Sequence, residues 1–151
     1  MSSDFCVGES QRGREGLRLP CEVAVRSLVP AMRASIAKEL ADQYGLKQHR
    51  IAELLNVTQA AISYYTREVR GAAVNIDRVG EVRQAVKDIA AALASGDWIA
   101  PDLMQRFCVA CSAAREAGLI CRLHKQMEPS IPLRECTICK LNQSSCGKRL
   151  R

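Results

Sequence analysis

The chain has 151 residues, eight of them cysteine, and 22 Lys/Arg against 16 Asp/Glu for a net charge of +6. That length allows one compact domain with an appendage, and 48% hydrophobic with 25% charged residues excludes a wholly disordered chain. No apolar run approaches the ~18 residues of a membrane-crossing helix, and MSSDFCVGESQRGREG holds no apolar signal segment, so a cytoplasmic, reducing setting is expected, where dense cysteines point to metal or redox chemistry rather than disulfides.

Residues 1–17 are polar and lack periodicity, which predicts a flexible tail. From Glu22 the apolar residues Val25, Leu28, Val29, Met32, Ile36, Leu40 and Tyr44 recur at steps of three and four, the period of a helix face. Pro30 interrupts the stripe, so the spacing predicts a short helix, a break, and a second helix ending at Gly45. Residues 47–70 predict two further helices, with Gly71 as terminator. Ile76, Val79, Val82, Val86, Ile89 and Leu93 predict the next, with Asp77 as N-cap and Gly96 just past its end. Asp97–Pro101 is a connector, after which Pro101 and Asp102 open a helix closed by Gly118. Beyond Leu123 the chain is poor in core formers and needs a staple to hold structure. No strand pattern of useful length occurs, so the expected class is all-α. The expected organisation is a helix-turn-helix domain over residues 18–96 and a small metal-stapled, cysteine-rich segment over 97–151.

The most specific pattern is QHRIAELLNVTQAAISYYTREVRG. Two helices crossing through a three-residue turn need a small residue at the crossing, a turn residue tolerant of positive φ, and apolar side chains between them. Ala52 meets the first need, Asn56 the second, and Ile51, Leu55, Val57, Ile62 and Tyr65 the third. Thr58 is placed to cap the second helix. In that register Gln59, Ala60, Ser63, Tyr64 and Arg67 face outward, types suited to base edges and phosphates in a major groove, and Gln48 is placed to meet the phosphate backbone. A helical hairpin with a polar face and no DNA-binding role has the same spacing.

The stretch IAELLNVTQAAISYY resembles the helix-turn-helix of the XRE, or lambda-repressor-like, family of microbial transcription regulators. With LPCEVAVRSLVPAMRASIAKELADQYGLKQ before it, FCVACSAAREAGLICRLHK after it and a late CTIC, the chain resembles a group of mostly archaeal regulators over about residues 17–140. The resemblance implies a DNA-binding transcription regulator with a cysteine-rich tail, binding double-stranded DNA as a dimer at palindromic sites. Asn56 stands where Gly is frequent in the family's turn, and Lys47 where a capping Ser or Thr is common.

Residues 21–71 carry a net charge of only +2, whereas residues 101–151 carry nine basic against four acidic side chains. Dimerisation would double the phosphate contacts, and the Ile76–Leu93 stripe is the expected homodimer interface; covering its own domain's core is the other use of such a stripe. The basic C-terminal residues offer a second DNA contact, and KRLR at 148–151 reads equally as solvated surface.

Cys108 with Cys111, Cys121 with His124 and Cys136 with Cys139 are three ligand pairs at the same spacing, followed by Cys146. Such repetition predicts a metal centre. Cys108, Cys111, Cys121 and His124 suit zinc; Cys108, Cys111 and Cys121 with Cys136 or Cys139 suit an iron-sulfur cluster, which the surplus of ligands slightly favours. His124 beside Lys125 also reads as an ordinary solvent-facing basic residue. Cys6 and Cys21 look incidental. Loss of the centre would release the tail and change DNA binding. No nucleophile motif, phosphate-binding glycine loop or carboxylate pair suggests an enzyme, and no small-molecule substrate is evident. An iron-sulfur electron carrier would leave the helix pair unexplained; a metal-stapled protein-interaction adaptor would use it on another protein.

Overall fold

A computed structural model describes residues 17–67 and 74–141. The expected tail before Leu17, Cys6, the Gly71 terminator, Cys146 and the KRLR terminus lie outside the described residues, apart from Leu17 itself. Among the described residues the chain is all-helical: α1 Pro20–Arg26, α2 Leu28–Asp42, α3 Gln48–Leu55, α4 Gln59–Thr66, a 3-10 turn at Ile76–Arg78, α5 Gly80–Ser95, α6 Ala100–Glu116, α7 Cys121–Met127 and α8 Ile138–Leu141. None is long and apolar enough to cross a membrane.

The break expected near Pro30 falls at Ser27, whose φ of −125° and ψ of −57° end α1, while its hydroxyl donates 2.7 Å to the Val23 carbonyl. Pro30 then sits in the first turn of α2, where an N–H would have no intrahelical acceptor. At the start of α1 the Glu22 carboxylate reaches back 2.8 Å to the Leu19 N–H, and Pro20 takes the first helical position.

α2 is the hub. Leu28, Met32, Ile36 and Leu40, one helical turn apart, are all fully buried, and α1, α3, α4, α5 and α6 pack around it. Two ends of the predicted stripe differ: Val25 is 63% and Tyr44 43% exposed, because Val23 and Ala24 face inward from α1 and Gly45 turns the chain away with φ +63°.

The Ile76–Leu93 stretch is divided. Asn75, not Asp77, supplies the cap, accepting from the Asp77 N–H at 3.1 Å in the 3-10 turn, and α5 begins only at Gly80. Val82, Val86, Ile89, Ala90 and Leu93 are buried, with α5 packed on α2 and α6. Its outer face carries exposed Glu81, Arg83, Gln84, Lys87 and Asp88. The apolar stripe expected to join two copies is therefore taken up by the chain's own core, a correction that removes α5's apolar face as a dimer interface.

Across Gly96 (φ +76°) the core continues: Ala110, Ala114 and Ile120 belong to the same buried cluster as the α2 and α5 side chains. α7, which low apolar content leaves unpredicted, forms against α1, and α8 lies on α6. Lys125 ties α7 to the following turn through the carbonyls of Pro129 and, at 2.8 Å, Ile131.

Candidate nucleic-acid interface and thiol cluster

α3 and α4 are joined by three residues, and the backbone geometry follows their chemistry. Asn56 takes the left-handed conformation (φ 50°, ψ 50°), open to asparagine at small cost. That lets the Val57 N–H fold back 3.0 Å to the Ala52 carbonyl, the wrap-around bond of a Schellman end. Thr58 is extended, and its Oγ1 accepts from the Ala61 N–H at 3.1 Å, capping α4. Between the helices lie Ile51 and Ile62, fully buried, with Ala52 and Tyr65 nearly so; Leu55 and Val57 are half-buried.

On the outer surface Gln59, Ala60, Tyr64 and Arg67 are exposed and Ser63 is half-buried; Gln48, first residue of α3, is exposed. Thr58 uses its hydroxyl in the cap. Lys47 and Arg50 are exposed beside Gln48 and His49, two cations that the run KQHR signals. Glu53 offsets part of their charge through a 3.0 Å ion pair with Arg50, both side chains more than half exposed.

The six expected metal ligands do not gather as one set. Among the described residues, no three His, Cys, Asp or Glu side chains are placed to hold one metal ion. Cys108 is exposed and Cys111 half-buried on α6. His124 is not solvent-facing: it is buried, and its Nε2–H donates 2.8 Å to the Arg18 carbonyl, joining α7 to the segment that precedes α1. The expected Cys108, Cys111, Cys121 and His124 tetrahedron is thus not assembled, since His124 points to the chain's beginning.

Cys121, Cys136 and Cys139 do stand within electrostatic reach of one another. Burial, then the neighbouring Cys136, pushes the Cys121 thiol up, with Lys140 opposing. Burial likewise pushes Cys139 up, against the pull of the Arg115 guanidinium, and Cys121 and Cys136 add to the rise.

A groove of about 280 Å³ lies between α5 and α6, lined by Ala85, Asp88, Asp102, Gln105, Arg106 and Val109. Its charged groups have partners nearby: Arg106 Nε donates 2.9 Å to Asp102, and Asp88 accepts from Gln84 at 2.9 Å.

No family model, curated protein or solved structure matches the chain.

Proposed function

We propose that this protein is a sequence-specific DNA-binding transcription regulator that acts without catalysis. α3 and α4 form its helix-turn-helix, and α4 is the helix that enters the major groove of double-stranded DNA. The observation that carries the reading is the turn: a left-handed Asn56, a Thr58 cap and Ala52 under the crossing hold two short helices so that Gln59, Ala60, Tyr64 and Arg67 share one solvent-facing surface. Gln59 can bond adenine in two places, Ala60 can touch a thymine methyl and Arg67 can take guanine or phosphate. Gln48, Lys47 and His49 at the start of α3 meet the backbone. With few cations on this surface, a homodimer supplies the remaining phosphate contacts. The cysteine-rich segment binds an iron-sulfur cluster or zinc and links metal or redox state to DNA affinity.

Selection from a random duplex pool tests the central claim. The full chain should enrich a palindromic sequence; Gln59→Ala should cost about 1–3 kcal/mol and relax the base preference at one position, and Arg67→Ala should weaken binding with a shallower salt dependence if it contacts phosphate. Failure to enrich any sequence, or enrichment untouched by both substitutions, would overturn it. Two chains per site by sedimentation support the homodimer, and equal affinity of metal-stripped and reconstituted protein would remove the sensing role.

A further inference from the structure

α6 differs from α5 in what it shows to solvent. The outer face of α5 is charged, with Glu81, Arg83, Lys87 and Asp88 exposed. On α6, Ala110 and Ala114 are buried in the core, and Leu103 and Phe107 beside them are half-buried. The opposite side is formed by Pro101, Met104, Gln105, Cys108, Val109 and Ser112, which share one face at helical spacing. None of the six is charged, and all but the half-buried Ser112 are exposed. Met104 leaves 66% and Val109 59% of its surface in water. A helix that is apolar beyond its core side has more face than its own domain covers, and exposed apolar side chains gathered in this way mark an interaction surface.

The same surface carries a shape that fits its own copy. Beside the ridge runs the groove of about 280 Å³ between α5 and α6, walled in part by Ala85 and Val109. Charges on its rim are partnered: Arg106 with Asp102 at 2.9 Å, and Asp88 with Gln84 at 2.9 Å. A patch that holds both a ridge and an adjoining groove is self-complementary about a two-fold axis, because the ridge of each copy enters the groove of the other. Charge points the same way. Two copies of a chain of net charge +6 repel one another, and an uncharged ridge is where they meet with least cost. The chain's terminal segments are poor candidates to cover this face: residues 1–16 offer only Met1, Phe5 and Val7 as large apolar side chains, and residues 142–151 only Leu150. Two copies meeting on ridge and groove remove on the order of 1,000 Å² from water, the size at which specific interfaces begin.

We propose that a second copy of this chain docks here, with the outer ridge of α6 and the α5–α6 groove as the homodimer interface. The proposal rests on the reading of a DNA-binding homodimer and names the surface that joins it. Met104, long and adaptable, fills the partner's groove, and Val109 closes the ridge against it. This surface takes the place of the α5 apolar stripe, which the core uses. It shares no residue with the outward face of α4: α6 packs on α5, α2 and α1, whereas α3 and α4 pack on α2. Gln59, Ala60, Tyr64 and Arg67 of both copies therefore stay available to DNA, and the two-fold axis through α6 sets the distance between half-sites.

The test is sedimentation of the full chain over a range of concentrations. The unaltered chain should be a dimer. Met104→Glu combined with Val109→Glu should raise its dissociation constant about 100-fold or more with the helical circular dichroism kept. Leu133→Glu, in the loop between α7 and α8 and 42% exposed, should leave the constant unchanged. Alkylation of the reduced, unaltered chain decides the matter where the double variant does not fold: the rate at Cys108, on the ridge, should fall as concentration rises through the dimer range. A dimer that a folded double variant leaves intact, or a Cys108 rate independent of concentration, would overturn this surface while the homodimer stands. A chain that is monomeric at every concentration, and on DNA that it binds, would overturn the homodimer reading itself. In such a monomer, faster Cys108 alkylation after removal of residues 142–151 would assign the face to the chain's own terminus, and an unchanged rate would leave it to a different protein.

Discussion

Burial holds the Cys121 and Cys139 thiols neutral to higher pH than a thiol in the unfolded chain, and the neighbouring cysteines strengthen the effect while Lys140 and Arg115 oppose it. A folded-state pKa raised above the unfolded one contributes stability that is fully present below the ordinary thiol range, near 8.5, and is lost as pH rises through the raised values. The thermal midpoint of the reduced, metal-stripped protein should therefore fall on going from neutral to strongly alkaline pH. In the Cys121→Ser, Cys139→Ser double variant that fall should be smaller; an equal fall would show that other groups carry it. Glu128 behaves with the opposite sign. The Ser130 hydroxyl above all, then the Arg18 backbone and the nearby His124, hold its carboxyl below the usual range despite some opposing desolvation. Its contribution is present above the ordinary carboxylate pKa and is lost as acid drives pH through the lowered value.

At the level of elements, the α3–α4 pair was legible in the sequence because its requirements are local. Asn56, Thr58 and Ala52 each answer a backbone need set within a few residues, and the observed φ of 50° and the Ala61-to-Thr58 bond are those expected. Asn56→Gly should be tolerated, while Asn56→Ala should destabilise the protein by about 1–2 kcal/mol, the cost of a left-handed Cβ; a chemical denaturation midpoint measures both. Equal stability of the two variants would mean that the turn opens without consequence. The α5 boundary was less legible. Asp77 is a good capping residue, but Asn75 lies two residues earlier and closes a 3-10 turn first, so Asp77 falls inside the turn that it was expected to start. α7 was missed because LICRLHKQM has too little apolar periodicity; it is held by α1 and by the bonds of Lys125 and His124.

For the whole molecule, His124 adds a hydrogen bond between the two ends of the described chain, beside the packing of α6 and α7 on α1. Its ring bond to the Arg18 carbonyl spans 106 residues of sequence, and α1, whose start it holds, packs on α2, the helix that also carries α3 and α4. A hydrogen bond of this half-buried kind contributes about 0.5–1.5 kcal/mol net. His124→Ala should lower stability by that order and increase proteolysis at Arg18. A variant cut no faster there than the unaltered chain would show that the N-terminal segment is held by other contacts. The same link gives the cysteine segment a physical route to the helix pair, through α7, α1 and α2, and operator affinity measured in His124→Ala would report whether it is used.

Helical class, the core face of α2 and the chemistry of the α3–α4 turn were determined by the sequence alone, because helix period and backbone preference are properties of neighbouring residues. Which apolar stripe stays inside, and where each cysteine lies, depended on tertiary packing. The α5 stripe has the same period whether it covers a second chain or α2 and α6, and only the placement of those helices decided between them. Three identical ligand spacings likewise say nothing about direction: α6 carries Cys108 and Cys111 on a helix already committed to the core, α7 turns His124 toward Arg18, and α8 packs on α6 with Cys139 buried. Those contacts join residues far apart in the chain, and spacing between neighbours carries no record of them.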